Sequence, residues 1–401
     1  MPYVATQILS SLPAAGADVD AYIAGAASDL RALARIDGVR LIREPMRWHW
    51  GRWYSRNPLL AVSSGQVARL HAQHRLVQQL LDVNRREPYD IVYQFSQFES
   101  PWSKSTAQRL PPVVVHPEVH AAGELKWHRL ESGLSRECEP LHTRMAVRGV
   151  LATRALLQRR GAGAVDAFVA PSAVFAREIE RDYRIEASRV HVVPNPVDLR
   201  RFYSSPRTES TAYTLELLYV SRIALRKGVE LVVGLSHRLQ DLAGTVRLRI
   251  VGDKALFSDY RPLLADLNPA VATYDGRRSS LELATLYRMS DALLQPSHYE
   301  PFALTVGEAL ASGLPVVASD QVGATEGVDR RVCRVFASGN LDAFEAAVRG
   351  LIDDLRAGSG IGLRDVARSE AERLFASDSV AQQLVDVFRT VAVEGVCRVQ
   401  M

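Results

Sequence analysis

The chemistry of this 401-residue chain concentrates in Ser290–Glu326, SDALLQPSHYEPFALTVGEALASGLPVVASDQVGATE, which reads as strand, loop, helix, strand. Two carboxylates stand eight residues apart in it, Glu300 in the loop and Glu308 in the first turns of the helix. Helical side chains lean back toward the helix N-terminus, so both carboxylates are expected to face one pocket. The free amides of that N-terminus, around Phe302, Ala303, Leu304 and Thr305, suit a diphosphate at the carboxyl end of a parallel sheet. Carboxylates touching phosphate would be repelled, so Glu300 and Glu308 are expected to accept hydrogen bonds from hydroxyls, with a ribose and a sugar as natural donors. The bare spacing is also that of two solvated acids, and only the surrounding residues argue otherwise.

Elements must hold these groups in place. Short apolar runs alternate with longer amphipathic segments along the whole chain, the pattern of parallel sheets covered by helices on both faces. Strands are expected at 39–43, 90–95, 112–116, 167–171 and 190–193, then at 217–220, 246–251, 292–296 and 315–319. Helices are expected at 229–239, 280–289 and 304–312, with a last helical pattern over 369–391. The polar stretch FYSSPRTESTAY (202–213) separates the two alternations. The expected domains are therefore 1–205 and 206–379, with a C-terminal helix of about 380–401 packing back on the first.

Three segments together, xPSxxExFxLxxxEAxAxGxPVVAS around Glu300, HVVPNPVDLRRF (191–202) and YVSRIALRKG (219–228), resemble the retaining glycosyltransferases of family 4 in the GT-B superfold. The resemblance covers nearly the whole chain. It implies an α/β fold of two Rossmann-like, doubly wound domains facing a central cleft. It also implies transfer of a sugar, with retention, from a nucleotide-diphosphate-sugar donor to a glycan or lipid-linked acceptor. By the resemblance, Arg222 and Lys227 bind the donor phosphates and stabilise the departing diphosphate, which agrees with the rule that preset cations lower the energy of a developing oxyanion. Two exposed basic side chains in a loop are the ordinary alternative. Glu300 is placed at the hydroxyls of the donor sugar. His116, ending the run PPVVVH, is placed near the reacting sugar to orient donor or acceptor, whereas a lone histidine at a strand end is usually structural. The donor is a substrate, and no cofactor or metal is expected. Asp18-Val19-Asp20 imitates the metal motif of another fold but starts an apolar run. Asp275 and Arg277 end a strand near the expected base; each could meet a base edge or be simple loop polarity.

Composition bounds these readings. With 47% hydrophobic and 23% charged residues the chain is an ordinary globular protein, and a net charge of +4 is too small for a dedicated nucleic-acid binder. Three scattered cysteines encode neither a disulfide framework nor a zinc site, which fits a cytoplasmic setting. No apolar stretch is long enough to span a bilayer. The charge is uneven, since eleven arginines face three acids between Arg31 and Arg86, a net +8. Within that window RWHWGRWYSR sets Trp48, Trp50 and Trp53 among Arg47 and Arg52, a composition suited to an anionic membrane surface or a lipid-linked acceptor. An ordinary basic loop with packed aromatics, or tryptophans stacking on an oligosaccharide, would look the same. Gln97, after the strand DIVYQF, is a further acceptor-side candidate.

Members of the resembled family usually begin with a strand and a glycine-rich loop, whereas this chain opens inside the helix that follows them. The expectation is a late start or a reduced N-terminal sheet, with poor activity or solubility if a central strand is lacking. Two competing functions remain: a GT-B nucleotide-sugar epimerase, which needs no acceptor, and a nucleotide-sugar-binding protein with little or no turnover.

Overall fold

A computed structural model describes the chain apart from residues 1–2, 26–35, 47–57, 97–103, 131–132, 134–135, 137–138, 206–213, 256–258, 358–359 and 400–401. The membrane and acceptor candidates Arg47, Trp48, Trp50, Arg52, Trp53 and Gln97 lie outside the described residues.

In the N-terminal half the order is α1 (Tyr3–Ser11), β1 (Val19–Gly25), β2 (Val39–Pro45), α2 (Pro58–Asn84), β3 (Val92–Ser96), β4 (Val113–Pro117), α3 (Ala121–Leu130), α4 (Leu141–Gly161), β5 (Ala167–Ala170), α5 (Ala173–Tyr183) and β6 (Val190–Val192). The β-branched run of β4 is wholly buried, as a central parallel strand requires. It lies in a parallel sheet β3-β4-β5-β6. Among the described residues β1 pairs with β2 alone, in register Val19 opposite Val39, so this half holds two parallel sheets. Side chains join them, with the hydroxyls of Tyr22 and Tyr89 3.0 Å apart and Val19 packed in one cluster with Ile91, Tyr93 and Phe95. Asp20 of the Asp-Val-Asp run is held by Arg40, 2.7 Å from its Nε, and by the Tyr89 hydroxyl.

The second half has six parallel strands in the order β12-β11-β10-β7-β8-β9. They are β7 (Leu215–Val220), β8 (Val246–Val251), β9 (Ala272–Gly276), β10 (Ala292–Gln295), β11 (Val316–Ser319) and β12 (Cys333–Phe336). Alternate residues of β7 serve opposite faces: Leu217 and Tyr219 join the core under α6 (Val229–Arg238) and α9 (Leu341–Arg356), whereas Leu218 and Val220 join that under α7 (Ser280–Met289) and α8 (Leu304–Ala311). A capping box between Ser279 and Glu282 starts α7. The sequence pattern does not mark β12, a four-residue edge strand interrupted by Arg334, which pairs with Asp354.

The final helical pattern, expected as one helix, is two: α10 (Gly360–Phe375) and α11 (Ser377–Val399). Ala367, Ala371 and Phe375 of α10 pack in the second core, and Val380, Ala381 and Leu384 of α11 pack with Val4 and Ile8 of α1. The chain thus crosses back to the first half at Ala376, beside the outward crossing, where Val197 N–H donates to the Phe375 carbonyl at 2.9 Å. Among the described helices, none is long and apolar enough to cross a membrane.

Candidate active site

Two loops at the carboxyl ends of β7 and β10 build the centre of the cleft. The first, Ser221–Gly228, carries Arg222, Arg226 and Lys227; the second, Pro296–Ala303, carries Glu300. The Arg226 carbonyl accepts from the backbone N–H groups of both His298 (2.9 Å) and Tyr299 (3.2 Å), which staples the loops together. Gly228 closes the first loop at φ 71°, where a Cβ would stand 2.0 Å from the Pro296 carbonyl oxygen, so both the backbone angle and the space demand glycine.

This stapling brings Lys227 onto Glu300, where Nζ and Oε2 form an ion pair. Lys227 is 7% exposed, and burial, reinforced by the charges of Arg226 and Arg222, holds its ammonium well below the usual lysine range. The Glu124 carboxylate of α3, in the other half, opposes that shift and also acts on Arg222. Arg222 itself reaches solvent. The site is therefore a cluster of three cations with one paired carboxylate, facing an acidic residue across the cleft.

The helix after Glu300 begins at Ala303 in the left-handed region, φ 82°, with no side chain capping its first amides. Ala303 is one of two non-glycine residues with positive φ among the described residues, so the backbone is strained at the start of α8. Thr305 Oγ1 is turned inward and donates to Gln295 Oε1 at 3.0 Å. Phe302 packs edge-on against Phe375, and its carbonyl accepts from Ala324 N–H at 2.7 Å. Leu304 touches the N-terminal core. Glu308 does not share the partner of Glu300. Its Oε2 accepts from the Tyr287 hydroxyl at 3.0 Å, and burial pushes its carboxyl up to about 7.

Other expected site residues are placed differently. Asp275 is engaged by Arg249, whose Nε and Nη2 lie 3.0 and 2.6 Å from Oδ2, so its carboxylate serves the β8–β9 edge; Arg277 is exposed. His116 is 0% exposed, its Nδ1 2.6 Å from the Tyr93 hydroxyl, and burial lowers it to about 3, so it is neutral. Its Nε2 stands 3.6 Å from Glu118 Oε1. Glu118 accepts from Asn195 Nδ2 at 3.0 Å, and burial raises its carboxyl to about 7. His116 Nε2, Glu118 Oε1 and Asn195 Oδ1 lack hydrogen-bond partners, so this cluster retains polar capacity.

Sequence reasoning missed the residues that join the halves. His120 is 0% exposed; its Nε2 meets Asp182 Oδ2 at 2.7 Å and its Nδ1 meets the Tyr299 hydroxyl at 3.0 Å. Trp127 stacks on His298 and Tyr299, with centroids 5.7 and 6.2 Å away. Ser172 Oγ donates to the Pro301 carbonyl at 2.6 Å, and Glu326 accepts from Ala173 and Val174 N–H at the start of α5. The available signals were the second histidine in HPEVH and the tyrosine directly before Glu300.

Two α/β halves built on parallel sheets, with a cation-lined cleft between them and crossed twice by the chain, define a GT-B glycosyltransferase fold. A glycosyl transferase 4-like domain model matches residues 1–196 and a glycosyl transferases group 1 model matches 208–360; the chain belongs to the glycosyltransferases of family 4. Its curated relatives include a D-inositol 3-phosphate glycosyltransferase of Xylanimonas cellulosilytica, 28% identical over 69% of this chain and 71% of the relative. An MMP alpha-(1->4)-mannosyltransferase of Mycolicibacterium hassiacum is 30% identical over 58% and 56%. Solved structures of the same fold include sucrose-phosphate synthase from Thermosynechococcus elongatus, with TM-score 0.67, 18% identity, and coverage of 97% of this chain and 92% of that one. Anabaena HepE in complex with UDP has TM-score 0.61 and 17% identity, with 96% of each chain covered.

Proposed function

We propose that the chain transfers a sugar, with retention, from a nucleoside-diphosphate-sugar to a hydroxyl of a glycan or lipid-linked acceptor. The Lys227–Glu300 pair carries this reading, because it sets a cation and a hydroxyl acceptor side by side at the carboxyl ends of β7 and β10. A donor diphosphate would draw Lys227 and Arg222, and the hydroxyls of its sugar would take the freed Glu300. The capture of UDP by HepE and the sugar transfers named for the curated relatives support a nucleotide-sugar donor.

In the proposed step the bond from the anomeric carbon to the diphosphate oxygen breaks. The acceptor oxygen bonds to the same face, and its proton passes to the departing phosphate oxygen. Arg222 and Lys227 stabilise the charge that develops there, the role assigned elsewhere to a metal ion, so no metal is included. Closure of the halves around Tyr299 keeps water from the anomeric carbon.

The test is incubation with UDP-, GDP- and ADP-sugars plus inositol phosphate, oligosaccharide and polyprenyl-phosphate acceptors, with product configuration read by NMR. An α-linked product from an α-linked donor supports the reading. An inverted product removes retention, and donor isomerisation without any acceptor makes the chain an epimerase.

A further inference from the structure

The outward face of α4 is apolar where a surface helix of a globular protein is polar. At about 100° per residue, Leu141, Met145, Gly149, Ala152 and Leu156 fall within a sector of roughly 80°. Leu141 is 64% exposed, Met145 66% and Leu156 49%, whereas Leu151 and Gln158 on the opposite side are buried against the fold. Gln158 fixes that orientation, since its Oε1 accepts from Ala121 N–H at 2.9 Å and holds α4 to the start of α3.

The neighbouring helix extends the stripe. Leu130 ends α3, which packs along α4, and is 63% exposed. Five of the thirteen exposed large apolar side chains among the described residues belong to α3 and α4.

The charges on α4 choose the occupant. Its 21 residues include five arginines and no aspartate or glutamate. Arg159 and Arg160 are exposed at its end, one at each margin of the apolar sector, and His142 is exposed near the other end. A second copy of this chain would set like charges against one another across such a face. A surface of anionic lipid takes the apolar stripe into its headgroup boundary and pairs the arginines with phosphates.

We propose that α4, flanked by Leu130, lies flat on an anionic membrane and holds the N-terminal half there. This does not rest on sugar transfer, and its test needs no donor. The full chain is sedimented with vesicles of phosphatidylcholine alone or mixed with phosphatidylglycerol, at about 50 and about 500 mM NaCl, where screening shortens from roughly 14 to 4 Å. The expected result is at least about tenfold more binding to the anionic vesicles at low salt. Met145→Glu/Leu156→Glu and, separately, Arg159→Glu/Arg160→Glu should each remove about nine-tenths of it while circular dichroism stays unchanged.

Three results would overturn the proposal. One is no binding to anionic vesicles. Another is undiminished binding by a folded Met145→Glu/Leu156→Glu variant, which would place any membrane contact elsewhere. The third is a lipid-free dimer that this variant dissociates, which would assign the stripe to a second copy.

Discussion

Tyr299 of the donor half places its hydroxyl 3.0 Å from Nδ1 of His120 in the N-terminal half, and Asp182 holds the other ring nitrogen at 2.7 Å. This Asp–His–Tyr chain, with its His and Tyr buried, crosses the cleft and ends on the residue directly before Glu300. Tyr299→Phe removes one hydroxyl and strands His120 Nδ1 without water. A loss of about 1–3 kcal/mol is expected in denaturant unfolding. A double-mutant cycle with Asp182→Asn should show coupling between the two sites, because both act through one imidazole.

Gly123 permits this approach. A Cβ there would meet the Tyr299 hydroxyl at 2.5 Å and His120 Cε1 at 2.6 Å, so Gly123→Ala is expected to push the halves apart. Small-angle scattering should show a larger radius of gyration in this variant. An unchanged scattering curve would mean that α3 shifts instead.

Lys227→Ala should slow transfer by roughly 100-fold or more, as expected for losing a preset charge at a departing oxyanion. Lys227→Arg should recover part of that rate. Glu300→Gln should keep nucleotide binding within a few-fold and lose turnover, since a carboxylate placed for sugar hydroxyls has little to do with the base. Steady-state kinetics on all three variants separates these effects.

Glu118 sets a pH dependence of stability. Its folded value, about 7, lies above the ordinary carboxylate value of 4.5, so the native state holds a proton that the unfolded chain has released. That contribution is complete below about pH 4.5 and is lost as pH rises through 7. Glu308 is raised to about 7 for the same reason and adds to the slope. Thermal melts of Glu118→Gln should fall less between pH 5 and 7 than those of the parent. His116, lowered to about 3, works on the acid side, where stability falls as pH drops below 6.5.

Most of the donor half was legible because parallel strands buried on both faces are plain apolar runs; the expected 246–251 strand and 280–289 helix match β8 and α7 residue for residue. The strand β12 was not, because Arg334 breaks its run and its pairing is at an edge. Glu300 and Lys227 were legible as types in a motif, yet their mutual ion pair was not, since it depends on two loops 73 residues apart being stapled through Arg226. Asp275 looked available in the sequence because nothing local names Arg249 as its partner. The break at Ala376 was marked only by the short polar run Ser377-Asp378-Ser379, between apolar residues that serve two different cores.

If the leaving diphosphate is stabilised by Arg222 and Lys227, chelation should leave turnover unchanged. Transfer assayed after extensive EDTA treatment, with and without added Mg²⁺ or Mn²⁺, is expected to agree within a factor of about two. A strict need for added metal would replace this account of the leaving group.

A nucleotide-diphosphate pocket at Lys227 and Glu300 should show itself in thermal unfolding of the parent and of Lys227→Ala with UDP, GDP and ADP. A nucleotide at one hundred times its dissociation constant should add about 2.7 kcal/mol to the parent, and the variant should lose most of that gain. If the folded parent gains nothing from any of the three, or the variant gains as much as the parent, the pocket is not where this account puts it.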